Sequence, residues 1–274
     1  MLDEEAEKRL DRKMERSATW RSLRLGCDEK NVHDKKSFML KNHLKNHKHL
    51  HRKANTFIGV CLIFFGSTAA AQTPVTVQKQ VIEPNFISSE NFKTINRAVA
   101  VTKDSHGKAI VHLDGKPGNG IAWINNVTFK TGTIELDIKG KNVLQQSFVG
   151  IAFHGVNDST YDGVYFRPFN FQSPDALRKS HAVQYISMPQ YDWSALREKY
   201  PGKYEHGLLN TTDPEKWFHA KIVVAADRIT VYVNSDRQPS LVVQPISKHT
   251  DGNIGFWVGH TSDGDFANLV IRNQ

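Results

Sequence analysis

Residues 218–234 read FHAKIVVAADRITVYVN. Apolar and polar side chains alternate through both halves, the period of a strand with one buried face, and Asp227-Arg228 between them predicts a hairpin. The same period runs outward in both directions. Candidate strands lie at 98–103, 108–113, 120–125, 132–139, 148–154, 162–167 and 181–187 before the hairpin, and at 241–244, 253–259 and 265–272 after it. Asp-Gly pairs at 114–115, 162–163, 251–252 and 263–264 supply turns, because both residues tolerate the backbone angles that tight reversals need. Twelve strands in one domain predict an all-β fold of two packed antiparallel sheets. Helical period is confined to 174–179 and to 192–200, where Asp192 caps a short helix that Pro201-Gly202 ends.

The stretch between Phe171 and Trp217, interrupted by the strand at 181–187, is long for a connection and is where function is expected to concentrate. It carries Tyr191, Trp193, Tyr200, Tyr204, Glu205 and His206. Such a mixture of aromatic and polar groups suits sugars, whose C–H faces stack on rings while their hydroxyls need fixed hydrogen-bond partners. The same residues would serve equally to anchor the loop to the sheet.

Upstream of the strands the composition changes. Residues 40–53 hold five Lys/Arg, four His and no acid, followed by the apolar run FIGVCLIFF at 57–65 and small residues ending in Ala69-Ala70-Ala71. That order is expected of a secretory signal peptide cut near Ala71, with retention as a membrane anchor the alternative. Residues 1–38 mix both charges and read as a disordered or mis-annotated extension before a start at Met39. Residues 72–84 read as linker, and 85–274 as the folded domain. Of the chain's 36 Lys/Arg and 28 Asp/Glu, 15 and 9 precede Gln72, leaving 21 and 19 for the other 203 residues. The net charge of +8 therefore shrinks to +2 in that part, which supplies no basic surface for nucleic acid. Cys27 and Cys61 both precede the expected cut, so the mature domain must rely on its core, in a periplasmic, secreted or cell-surface setting.

Three arrangements carry possible chemistry. On the strand at 132–139, Glu135 and Asp137 share a face opposite Ile134, Leu136 and Ile138. A carboxylate pair invites a glycosidase reading, but Gly140 stands where a Glu-x-Asp-x-x-Glu motif needs its last acid, and a solvated strand face with Lys139 is the expectation. On 162–167, alternation sets Tyr165 and Arg167 opposite Val164 and Phe166, and on 181–187 it sets Gln184 beside Ala182 and Ile186. A guanidinium and a carboxamide on neighbouring strands form a set of donors and acceptors for hydroxyl or carboxylate groups. The histidines are scattered without ligand spacing, so no zinc is expected; Asp263-Gly264-Asp265 and Asn157-Asp158 offer turn oxygens for Ca²⁺, which turn formation alone would also explain.

The order of the runs Gly-Val-Tyr-Phe-Arg at 163–167, Ala-Val-Gln-Tyr-Ile at 182–186, the strands from Trp217 and Ile229, and Gly-Asn-Ile-Gly-Phe-Trp-Val at 252–258 resembles that of concanavalin A-like (laminin G-like) jelly rolls. Over 85–274 the chain looks most like the bacterial 3-keto-disaccharide hydrolase domain family. The resemblance implies a jelly-roll sandwich with a glutamate two residues before Gln184. Ala182 stands there instead, which favours binding over hydrolysis unless Asp192, Glu205 or His206 moves the proton. The expected function is saccharide binding on a curved sheet by Tyr165, Arg167, Gln184, Trp193, Glu205, His206 and Trp257, with no catalytic residue assigned. A glycoside hydrolase and a structural or adhesive module are the alternatives.

Overall fold

The computed structural model describes residues 80–274. The readings for 1–38, for 39–71 and for the first eight linker residues lie outside the described residues. Fifteen strands appear among the described residues: β1 (Gln80–Ile82), β2 (Phe92–Ile95), β3 (Val99–Lys103), β4 (Ala109–Leu113), β5 (Gly120–Phe129), β6 (Gly132–Lys139), β7 (Val149–Asn157), β8 (Thr160–Phe166), β9 (Val183–Met188), β10 (Glu205–His206), β11 (Phe218–Val224), β12 (Ile229–Val233), β13 (Leu241–Val243), β14 (Gly252–Val258) and β15 (Gly264–Asn273). Three short α-helices lie in two successive connections, α1 (Pro168–Phe171) and α2 (Ala176–Lys179) between β8 and β9, and α3 (Trp193–Lys199) between β9 and β10.

All twelve sequence-predicted strands are present. The three others, β1, β2 and β10, are short, and β1 lies in the stretch read as linker, where it pairs with the end of β15. The hairpin at 218–234 is shifted by one residue: Ala225 and Arg228 exchange backbone hydrogen bonds, so Ala226-Asp227 forms the turn. Asp192 caps α3 by accepting from the Ala195 N–H at 2.8 Å.

The strands form two antiparallel sheets, a jelly-roll β-sandwich. The eight-stranded sheet runs β13-β12-β11-β6-β15-β4-β3, with β1 on β15, and the seven-stranded sheet runs β10-β9-β8-β7-β14-β5-β2. Their inner faces meet through aromatic pairs, Phe256 on Phe266 with centroids 4.7 Å apart and Phe166 on Phe218 at 5.0 Å. Burying each such ring contributes a few kcal/mol, and truncating one costs about 3–5 kcal/mol.

The inner face also holds a polar cluster. A register shift after Phe153 and a positive φ of 53° at His154 accompany the turning of its ring onto Asp162, with Nδ1 2.9 Å from Oδ2. The Lys130 carbonyl, 2.7 Å from Nε2, can only accept, so Nε2 carries a proton. Tyr185 donates to Asp162 Oδ1 at 3.0 Å, and burial together with that carboxylate pushes its phenol far above the usual range.

Candidate functional site

The register of β8 on β9 sets Tyr165 opposite Gln184 on the outer face of the seven-stranded sheet, while Val164 and Phe166 turn inward. Arg167 follows at the N-terminus of α1, where Pro168 ends the strand and the Arg167 N–H bonds the Ala182 carbonyl at 2.8 Å. Its guanidinium folds back over the sheet. Nη2 donates to Tyr165 Oη and to Gln184 Oε1, each at 2.6 Å, and Nη1 to the His181 carbonyl at 2.8 Å. Tyr165 Oη donates in turn to Gln184 Oε1 at 3.1 Å. Alternation therefore brings the guanidinium and the carboxamide together, but against each other. Arg167 is 2% exposed and Gln184 is wholly buried, so the expected open polar platform is instead a closed network.

Glu205 enters the same network from β10, whose two residues pair with β9 so that Glu205 lies opposite Gln184. Arg197 of α3 donates from Nε to Oε1 at 2.8 Å and from Nη2 to Oε2 at 2.9 Å. His181 Nδ1 is 2.9 Å and Arg167 Nη1 3.6 Å from Oε2. Burial alone would raise this carboxyl's pKa, but His181, Arg197 and Arg167 outweigh it and hold the pKa at about 2. Glu205 is thus an ionised structural anion at neutral pH, unsuited to donating a proton. Neither His181 nor Arg197 stood out in the sequence, because nothing local marks residues that meet only through β10.

Beside the network the face opens into a hollow with about 390 Å³ of empty space, its mouth included. Strand residues Tyr165, Ile186, Met188 and Trp257 line it, with Phe148, Trp193, Asn119, Asp192, Gly259 and His260 from the connections and the start of α3 that edge it. Trp257 is fixed by donating from Nε1 to Tyr161 Oη at 3.0 Å and packs 4.9 Å from the Tyr165 ring. Glycines at the sheet centre let the aromatics lie down: a Cβ on Gly150 would sit 2.2 Å from the Val164 carbonyl and 2.7 Å from Tyr165 Cβ. Trp193, at the start of α3, leans on Arg197, whose Cζ lies 5.1 Å from its ring.

Of the seven residues singled out by sequence, Tyr165, Trp193 and Trp257 line the hollow, and Arg167, Gln184 and Glu205 lie in the buried network. His206 does neither: it is exposed on β10, with Nδ1 2.8 Å from its neighbour's carbonyl at Gly207. Within the long connection, Tyr204 is buried against Tyr185 at 5.8 Å, so part of this stretch anchors the loop. Phe148, Met188, Asn119 and His260 escaped the sequence reading. They come from four separate connections and strand ends, and only the folded chain brings them to one place.

The other acids lie elsewhere. Glu135 and Asp137 face outward from the eight-stranded sheet, where Arg272 donates to Glu135 at 2.7 Å, and Asn268 donates to Asp137 at 2.6 Å. His219 Nδ1 is 2.7 Å from Asp137, and these three residues, rather than Lys139, meet the two acids. The turn acids offered for calcium already have partners: Asp263 pairs with Lys141 and Asp158 with Lys93, and His112 Nδ1 lies 2.7 Å from Asp265. Among the described residues, no group of three or more His, Cys, Asp or Glu is placed to hold a metal ion.

No family model and no curated protein matches this chain. Solved structures similar to it include the carbohydrate-binding module CBM66 of Bacillus subtilis, at 15% identity and a TM-score of 0.46 over 65% of this chain and 93% of that one. A galectin-like protein of unknown function from Bacillus subtilis is 10% identical, with a TM-score of 0.46 over 68% of this chain and 90% of its own. The β-glucanase of Bacillus licheniformis is 14% identical, with a TM-score of 0.45 over 72% and 98%.

Proposed function

We propose that this protein binds a saccharide in the hollow on its seven-stranded sheet, and that the segment at 39–71 exports it to do so. The observation that carries the reading is the make-up of the hollow: four aromatic residues line it, Phe148 and Trp193 half-buried and Tyr165 and Trp257 buried beneath them, together with the polar Asn119, Asp192 and His260. Aromatic faces take the C–H side of a pyranose, and a few fixed polar groups orient its hydroxyls. Arg167, Gln184 and Glu205 act beneath this surface by fixing Tyr165 and α3 in place.

Binding fits the site better than hydrolysis of the 3-keto-disaccharide type. Glycoside cleavage generally calls for two carboxyl groups across the scissile bond. Asp192 is the one acid in the lining, and its oxygen caps α3, while Glu205 is locked by Arg197. The test is a glycan array with the full chain and Trp193→Ala. Wild type should retain a defined set of glycans, and the variant, which loses a half-exposed ring, should bind them about 1 kcal/mol more weakly. Retention of no glycan would remove the saccharide reading, and release of a cleaved sugar by the wild type would replace it with the hydrolase.

A further inference from the structure

One side of the hollow's rim is made of two loops rather than strands. The connection before β5 contributes Asn119, and the connection after β14 contributes Gly259 and His260. Loop backbone at a site keeps its shape only if its carbonyls and N–H groups are held. A buried arginine outside the lining does this. Arg97, in the turn between β2 and β3, is 4% exposed. Its Nη1 donates to the Asn96 carbonyl at 2.6 Å, and its Nη2 to the carbonyls of Gly118 at 2.7 Å and His260 at 2.8 Å.

A buried guanidinium ordinarily ends on a carboxylate. Here the neighbouring acid is taken: Asp114 accepts the Ala98 N–H at 2.6 Å and pairs with Lys116 at 3.2 Å. The two terminal nitrogens of the arginine go instead to backbone carbonyls in three places, two of them adjoining or within the rim. Asn96 extends the clasp. With φ at 52°, it donates from Nδ2 to the carbonyls of Pro117 at 2.8 Å and Asn119 at 3.1 Å. Gly120 belongs to the same device, because a Cβ there would lie 2.2 Å from Arg97 Cγ. The stem of the arginine occupies the space a side chain would need.

We propose that Arg97 is a positioning residue: its planar fork locks the 117–119 loop to the 259–260 loop and so holds Asn119 and His260 at the rim. Saccharide binding depends on it without contact, a consequence that rests on the function proposed above. Lysine cannot replace it, since a single ammonium lacks the planar fork that spans these carbonyls. Asn96 reaches one loop and Arg97 both, so the two have different signatures.

The test is hydrogen exchange by mass spectrometry on the full chain with Arg97→Ala, Arg97→Lys and Asn96→Gly, the last chosen because glycine accepts the positive φ. Both Arg97 variants should speed exchange about tenfold in peptides over 117–119 and 259–262 and leave β7 and β8 unchanged. Asn96→Gly should loosen 117–119 alone. Uniform acceleration across the strands, or no change at 259–262, would overturn the clasp. On the glycan array, Arg97→Lys should retain about tenfold less of whatever glycans the wild type holds; equal retention with loosened loops would overturn the positioning role. If the wild type retains none, the saccharide reading falls, and exchange alone decides whether Arg97 clasps the two loops.

Discussion

On the outer face of the eight-stranded sheet, β6 alternates buried and half-buried residues along its whole length, and β11 and β12 keep their inward positions buried against more open outward ones. On the outer face of the seven-stranded sheet the alternation disappears: β8 is buried at every position but Thr160, and β9 at every position but Met188. Charges follow the same division. Glu135, Asp137, His219 and Arg272 pair in partial contact with water, whereas Arg167 and Arg197 pair with Glu205 out of it. A pair in water can be lost at little cost, and a pair beneath a covering connection cannot. The difference teaches which face was built over, and the hollow lies on that one.

The sharpest way to break this comparison is to make the same substitution on both faces. Glu205→Gln should cost about 3–5 kcal/mol of unfolding free energy in urea, since Arg197 and Arg167 are left buried without their counter-charge. Glu135→Gln should cost less than about 1 kcal/mol. Equal losses would mean that the two faces are equally wet. A smaller contrast comes from packing. Gly150→Ala places a methyl against the Val164 carbonyl and Tyr165 and should cost about 1–3 kcal/mol, while Thr230→Leu on the outer face of β12 should stay within about 0.5 kcal/mol.

The weakest contrast is in pH. Glu205, held down at about 2, contributes stability that is complete above its ordinary 4.5 and is lost as pH falls toward 2. His219 moves the other way: its contact with Asp137 raises its pKa, so its contribution is complete below the ordinary 6.5 and fades as pH rises through the raised value. Urea midpoints across pH should therefore lose their acid limb in Glu205→Gln and their slope above 6.5 in His219→Gln. An unchanged acid limb in Glu205→Gln would show that the buried pair does not set acid stability.

How far the site was legible depended on the range of the signal. The alternation at 162–167 was enough to part Tyr165 and Arg167 from Val164 and Phe166, and Asp192 announced its helix because a cap acts within three residues. β10 was invisible: two residues have no period, and Glu205 looked like one polar residue of a loop. The reading of Arg167 and Gln184 as an open platform went astray for a related reason. Alternation says which face a side chain takes, not whether another part of the chain has already covered it.

The sequence by itself determined the two-layer β architecture, since period two and turn chemistry are local and every strand repeats them. Tertiary structure alone decided that Arg167 spends its donors on Tyr165 and Gln184, that Arg197 captures Glu205, and that Phe148, Trp193 and His260 close around Trp257. Each of these depends on strand register and loop closure over tens of residues, and short-range composition carries no record of either.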